Sequence, residues 1–325
     1  MKLRSLLSLA TVSVVAVSLV CPVSTAFAAD ESGSGADALS ALKDLTDDAT
    51  SEATEVLTGV ASVATDESGG SAVDAKINDI RVVLPTHPVD PISLETSAGA
   101  SIKISLPFSK EAAKADVISD GVVAYDNNNG STTVPVVKID GSIQIATVIE
   151  HSDAPTTYSY DVGLEPGSSL ERQSDGTVSV LGPEGVRVGA FAPPWAKDAN
   201  GFDVKTHYEI AGTTLIQVVE HWTAGIAYPV TADPYLGIDL IQSGRWIGAT
   251  FEVVPTWWLR VNGANAAAHL TLFEEFCTRY RSACNTQLWW QLACHAQFAA
   301  WKPVWHLDTW HWQPTYWDYV THGCN

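Results

Sequence analysis

The sequence predicts a multidomain chain: an all-β sandwich or barrel in the middle, followed by a small disulfide-bonded α+β domain. Three observations carry that reading. Short β-branched runs separated by turn clusters fill residues 80–230. Ten of the twelve tryptophans fall in the last 91 of 325 residues, from Tyr235 to Asn325. Four of the five cysteines fall there too, an even set suited to pairing in an oxidising compartment.

The chain opens with Lys2 and Arg4, an apolar run from Leu6 to Val20, and Ala26-Phe27-Ala28. These are the charged, hydrophobic and small-residue regions of a signal peptide, residues 1–28, with cleavage expected after Ala28. The apolar run is short of the ~20 residues a bilayer span needs, and no later segment replaces it. The expected location is therefore secreted, either extracellular or associated with the cell envelope, with no transmembrane segment after cleavage.

Residues 29–77 read as an acidic, low-complexity spacer. Between Asp30 and Lys76 eleven acidic residues stand against two lysines, a charge of −9 within the chain's total of −19. The segment has no aromatic residue, too little apolar surface to order a core of its own. Leu39, Leu42, Leu45 and Ala49 have partial helical spacing, so a frayed helix or stalk is the structured alternative.

Residues 78–233 form the expected β-rich domain. Its strand runs are IRVVL, SIKISL, GVVAY, VPVVKI, SIQIATVI, YSYDVGL, TVSVLG, VRVGAF and TLIQVVE. Between them lie Asp126-Asn127-Asn128-Asn129-Gly130, Asp140-Gly141, Asp175-Gly176 and Pro183-Glu184-Gly185, which are hairpin turn signals. Phe191-Ala192-Pro193-Pro194-Trp195 interrupts the pattern as an irregular loop.

In residues 235–325 the expected elements are strands Ile238–Gln242 and Trp246–Val254, then two helices. From about Ala264, Leu270, Phe273, Cys277 and Tyr280 recur at helical spacing. Asn285 is placed to cap a second helix whose stripe is Trp290, Cys294, Phe298 and Trp301. Glu274-Glu275 reads as the solvated face of the first. Four cysteines allow three pairings. Proximity favours Cys277 with Cys284, leaving Cys294 with Cys324, and chain entropy assigns them about 2.5 and 3.7 kcal/mol.

The charge distribution bears on function. From Tyr235 onward six acids meet five bases, so the tryptophan-rich end is nearly neutral and lacks the basic patch that a nucleic-acid partner needs. No nucleophile elbow, metalloprotease helix, phosphate-binding loop or dinucleotide fingerprint is present. His306, Asp308 and His311 are the acid–base candidates, with Glu252 and Arg260 behind them, but no spacing fixes their mutual distance. His295, His306, His311 and His322 raise a zinc alternative, against which stand Pro303 and Pro314, so no metal and no cofactor are expected.

The tryptophans offer a different chemistry. Trp257-Trp258 and Trp289-Trp290 are adjacent pairs, so one member of each can fill a core while the other faces elsewhere. The run Trp305-His306-Leu307-Asp308-Thr309-Trp310-His311-Trp312 is dense in aromatic rings with polar tips, and an extended chain there would put Trp310 and Trp312 on one face. Rigid indoles with hydrogen-bonding neighbours suit sugar rings or a protein hot spot. Trp257, Trp289, Trp305, Trp310 and Trp312 are the binding candidates, and the expected partner is a cell-wall glycan or a surface protein.

The segments GIDLIQSGRWIG, FEEFC, LACHAQF, KPVWHLDTWHWQP and GCN carry a resemblance. From Gly237 to Asn325 the chain resembles the domain-of-unknown-function family 2599 of secreted actinobacterial proteins. The resemblance implies a Cys294–Cys324 bridge, makes Cys277–Cys284 a local addition, and implies no activity. Upstream, FAPPWAKDANGFDVKTHYEIAGTTLIQVVEH and AYPVTADPYLG are similar to a β-rich region that precedes varied C-terminal domains in such proteins. A common presenter with a variable tip is the architecture this implies. The leading expectation is a non-enzymatic envelope-binding protein, and the alternative is a secreted antibacterial effector or hydrolase.

Overall fold

The fold is described from a computed structural model, over residues 33–47, 56–66, 69–96, 101–174, 176–185, 187–237, 239–264 and 266–324. The side chains of residues 33, 46, 47, 262, 266–271 and 274 are excepted. The expected signal peptide lies outside the described residues.

Helix α1 (Gly33–Asp47) precedes seventeen strands. The first eight are β1 (Ser71–Ile77), β2 (Ile80–Pro85), β3 (Ile92–Thr96), β4 (Ser101–Ile104), β5 (Asp116–Ser119), β6 (Val122–Asp126), β7 (Ser131–Val137) and β8 (Ile143–Ile149). Next come β9 (Thr157–Gly163), β10 (Ser169–Arg172), β11 (Val178–Leu181), β12 (Arg187–Phe191) and β13 (Trp195–Lys197). The series closes with β14 (Thr206–Ala211), β15 (Thr214–Val219), β16 (Val230–Asp233) and β17 (Tyr235–Gly237). They build two antiparallel sheets, one ordered β1-β2-β3-β4-β9-β15-β14, the other β10-β11-β12-β17-β8-β7-β6-β5 with β16 on β8 and β13 on β16. The mostly-β middle region thus matches the predicted class.

Alternation explains how the sheets stack. In β9 and β15 every second residue is buried, as expected of a sheet with one wet face. Every residue of β7 and β8 is buried, because both faces are covered. Val137, Ile143, Ile145 and Ile149 point into the core shared with the other sheet. Val134, Val136, Ala146 and Val148 point outward, against Ala38 and Leu42 of α1.

That contact departs from the expectation of a solvated spacer. The segment builds no core of its own, but α1 lays a small apolar stripe on an existing sheet face, and small residues suffice there. Residues 56–61 follow the same surface. The buried Lys138 Nζ donates to the carbonyls of Val56 and Thr58, and the Ala61 N–H donates to the Val137 carbonyl at 2.9 Å. β1 then enters the first sheet beside β2.

A polar group sits inside the sandwich. Asp233 is buried, its carboxylate accepts from Gln144 Nε2 at 2.5 Å, and desolvation pushes its pKa up to about 8. A carboxyl whose folded pKa lies above its unfolded value stabilises the fold at low pH, and the contribution is lost as pH rises from about 4 to 8. Asp233→Asn should therefore raise the melting temperature more at pH 8 than at pH 5. Thermal denaturation at both values checks this, and an equal shift at both would contradict it.

The C-terminal region comprises β18 (Ile241–Ile247), β19 (Thr250–Pro255), α2 (Trp257–Asn262), α3 (Ala266–Arg279), α4 (Thr286–Phe298), β20 (Trp305–Asp308) and α5 (Tyr316–Thr321). β18-β19-β20 form an antiparallel sheet. The hairpin turn lies at Gly248, at φ 62°, and not within residues 243–245 as the predicted strand limits imply. Gly244 stays in β18 because a Cβ there would meet the Phe251 and Tyr280 rings at 2.8–2.9 Å. Thr256 caps α2 and Asn285 caps α4, the latter as predicted.

The core of this region includes residues of the sandwich. Ala190, Ala192 and Tyr235, on the outward face of β12, β17 and the chain beside them, cluster with Trp258, Leu259, Phe276, Leu292 and Trp305. The Trp258 N–H donates to Asp140 Oδ2 at 2.8 Å, and its indole N–H donates to the Tyr235 carbonyl at 3.3 Å. The C-terminal region and the sandwich therefore share apolar surface.

Candidate functional site

The three-stranded sheet has two unlike faces. Its inner face, with Phe251, Val253, Trp305 and Leu307, packs on Leu272, Phe276, Leu288 and Leu292 of α3 and α4. Its outer face is polar. Register places Arg245, Glu252 and His306 in one cross-strand row, and Ile247, Thr250 and Asp308 in the next.

Each polar group on that face has a partner. Arg245 Nε and Nη2 donate to Glu252 Oε2 at 3.0 Å, and His306 Nε2 lies 3.1 Å from Glu252 Oε1. The Arg245 hydrogen bond, aided by His306, lowers the Glu252 pKa and keeps it an ionised carboxylate. Asp308 Oδ1 accepts from the Thr250 hydroxyl at 2.6 Å, and Oδ2 lies 3.3 Å from His311 Nδ1. Gln291 of α4 brackets the Asp308 backbone. Its Oε1 accepts the Asp308 N–H at 2.7 Å, and its Nε2 donates to the Asp308 carbonyl at 2.9 Å.

His306 and Asp308 thus share a face, but the acid–base candidates divide into two separate His–carboxylate pairs. Of the other histidines, His295 is buried, donates from Nδ1 to the Gln291 carbonyl at 2.8 Å, and stacks on Trp305 with ring centroids 5.9 Å apart. Desolvation lowers its pKa to about 4, so it is a neutral core imidazole. His322 bonds the Asp318 carbonyl at 2.6 Å. Among the described residues no group of three or more His, Cys, Asp or Glu side chains is arranged to hold a metal ion.

The binding candidates also divide. Trp305 is fully buried and belongs to the core, since strand alternation turns it inward with Leu307 while His306 faces out. Trp257 is half-buried, close to Gly59, where a Cβ would come within 2.8 Å of its ring. Trp289 is half-buried and edge-on to Phe273 at 5.0 Å. Trp310 and Trp312 are 58% and 67% exposed and are the two candidates that face solvent. They lie beyond the end of β20, in the turn and loop that follow, so they are not neighbours on one strand face. Trp301 and Trp317, 75% and 66% exposed, join them; Trp301, expected on the apolar stripe of the second helix, instead lies beyond the end of α4 at Phe298 and faces solvent.

These exposed rings sit on anchored backbone. Thr315 and Asp318 form a capping box at the start of α5. The Gln313 N–H donates to the Tyr319 hydroxyl at 3.1 Å, and the Tyr316 hydroxyl donates to Gln297 Oε1 at 2.7 Å. The Cys294–Cys324 disulfide ties α4 to the end of α5, and Cys277–Cys284 closes the end of α3. Both are the expected pairs.

Glu275 corrects the expectation of a solvated glutamate pair. It is buried, forms an ion pair with Arg187 of β12, and accepts the N–H groups of Leu240 and Ile241 at 2.9 Å each. Arg279 donates to it at 2.7 Å. The side chain of Glu274 is outside the described set.

This is a disulfide-closed α+β domain built on the outer face of a β-sandwich. Residues 241–325 match the family described as Protein of unknown function (DUF2599), in agreement with the resemblance noted in the sequence. No curated protein and no solved structure matches the chain. Among the described residues no helix is long and apolar enough to cross a membrane.

Proposed function

We propose that the chain is an exported protein whose sandwich presents the C-terminal domain as a non-enzymatic binding module for cell-envelope glycan. The observation that carries this is the division among the tryptophans. Trp258 and Trp305 fill the core, whereas Trp301, Trp310, Trp312 and Trp317 are each more than half exposed on a domain closed by two disulfides. Large exposed aromatic rings held on anchored backbone offer apolar surface to a partner, and their pre-set geometry reduces the entropy lost on binding. Export is supported by the composition of residues 1–28 and by the two disulfides. The lowered pKa of Glu252 deprives the polar face of a neutral carboxylic acid there, which favours binding over glycoside hydrolysis.

The Trp310→Ala, Trp312→Ala double variant should change stability by no more than about 0.5 kcal/mol per site, because both side chains are exposed. It should weaken binding to purified cell walls by roughly 30-fold, the effect of losing a ~2 kcal/mol hot spot. Equilibrium unfolding and wall co-sedimentation measure the two quantities. Unchanged wall binding, or collapse of the fold, would sink the proposal.

A further inference from the structure

Resting on that reading, we propose that His311, positioned against Asp308, is a specificity-determining residue whose Nε2 hydrogen-bonds a hydroxyl of a neutral sugar ring stacked on Trp310. Asp308 lies on the outer face but its side chain is only 8% exposed, because its two oxygens are covered by the Thr250 hydroxyl and His311 Nδ1. The carboxylate therefore positions the imidazole and is not itself presented. With Nδ1 facing Asp308, Nε2 is the ring nitrogen left to hydrogen-bond a ligand hydroxyl, which can serve as either donor or acceptor. Nε2 makes no hydrogen bond among the described residues, and the His311 side chain is 47% exposed.

The adjoining wall is Trp310. Its ring centroid lies 5.6 Å from that of His311, with the planes inclined at 64°. The two rings form a corner with one apolar face and one hydrogen-bonding ring nitrogen. A pyranose has the matching shape, since its axial C–H groups lie on a flat face and its hydroxyls at the edge. The corner is held from behind, because Gln291 fixes the Asp308 backbone and the Thr309 N–H and hydroxyl both bond the Ala249 carbonyl, at 3.2 and 2.9 Å.

Charge selects the ligand class. Of the carboxylate and guanidinium groups on this face, Asp308 and Glu252 stand against Arg245, an excess of one carboxylate that disfavours a uronate or phosphate. The fit is therefore to a neutral glycan.

The test uses the full exported protein bound to purified, protein-free actinobacterial cell walls, with mannan, galactan and polygalacturonate as soluble competitors. His311→Ala should weaken wall binding about three- to tenfold, as expected for one lost hydrogen bond, and leave the melting temperature unchanged. It should also flatten discrimination between mannan and galactan, a readout that a purely structural residue would not move. His311→Gln, which restores a hydrogen-bonding group near the Nε2 position, should recover part of the affinity. At least one neutral polymer should compete for the wild-type protein, and polygalacturonate should not. If His311→Ala binds and discriminates like wild type while the Trp310, Trp312 variant loses binding, the role of His311 is overturned and the tryptophan surface stands. Competition by polygalacturonate alone overturns the neutral class. Full wall binding by both variants overturns this inference together with the binding function beneath it.

Discussion

Glu275→Ala should destabilise the protein by about 3–5 kcal/mol, the range for removing one partner of a buried ion pair. Glu275 and Arg187 have side chains only 5% and 8% exposed, and the carboxylate also accepts the Leu240 and Ile241 N–H groups. Truncation leaves the Arg187 guanidinium buried without this partner and removes the acceptor of two buried amides. The loss joins two structural layers, because Arg187 belongs to β12 of the sandwich and Glu275 to α3 of the tip. Urea unfolding followed by far-ultraviolet circular dichroism measures it. A loss below about 1 kcal/mol would show that the pair is screened and that the tip does not depend on the sandwich for its charge balance.

Removal of the Cys294–Cys324 disulfide by paired serine substitution should cost about 3.7 kcal/mol, against about 2.5 kcal/mol for Cys277–Cys284. The first bridge spans 30 residues and the second 7, so the first restricts the unfolded chain more. Burial points the same way, since Cys294 and Cys324 are almost wholly covered and serine would place polar hydroxyls in an apolar cluster. α5 depends on this bridge, and with it Trp312 and Trp317 on either side of the Thr315 cap. Equilibrium unfolding of the two paired variants tests the order, and a larger effect from the shorter loop would contradict it.

The middle β-region was legible because β-branched runs and glycine turns recur at strand length. β2, β4, β6, β7, β8, β9, β11, β12 and β15 each overlap one of the runs read from the sequence. What escaped depends on surfaces rather than periods. α1 has too few apolar residues to announce a fold, and its burial follows from the outward residues of β7 and β8. The β18–β19 turn was misplaced because glycine serves opposite purposes at Gly244 and Gly248, close packing at one and positive φ at the other.

The site was legible in part for the same reason. Trp310 and Trp312 were found from composition, and Asn285 from capping chemistry. Trp305 was misassigned although its strand alternation, Trp305 and Leu307 in and His306 out, is written in four residues. Glu275 could not be found locally, because its partner Arg187 lies 88 residues away. The pairing of Asp308 with His311 needs the chain to turn after β20, which Pro303 and Pro314 do not indicate.

The most direct measurement is co-sedimentation of the full-length, oxidised protein with purified actinobacterial cell walls, following tryptophan emission across the titration. The full chain is required because Ala190, Ala192, Tyr235 and Arg187 complete the core and charge balance of the tip. Saturable binding with a blue-shifted, less quenchable emission is the predicted result, as the exposed indoles leave water. Absence of wall binding by folded, oxidised protein would contradict the account.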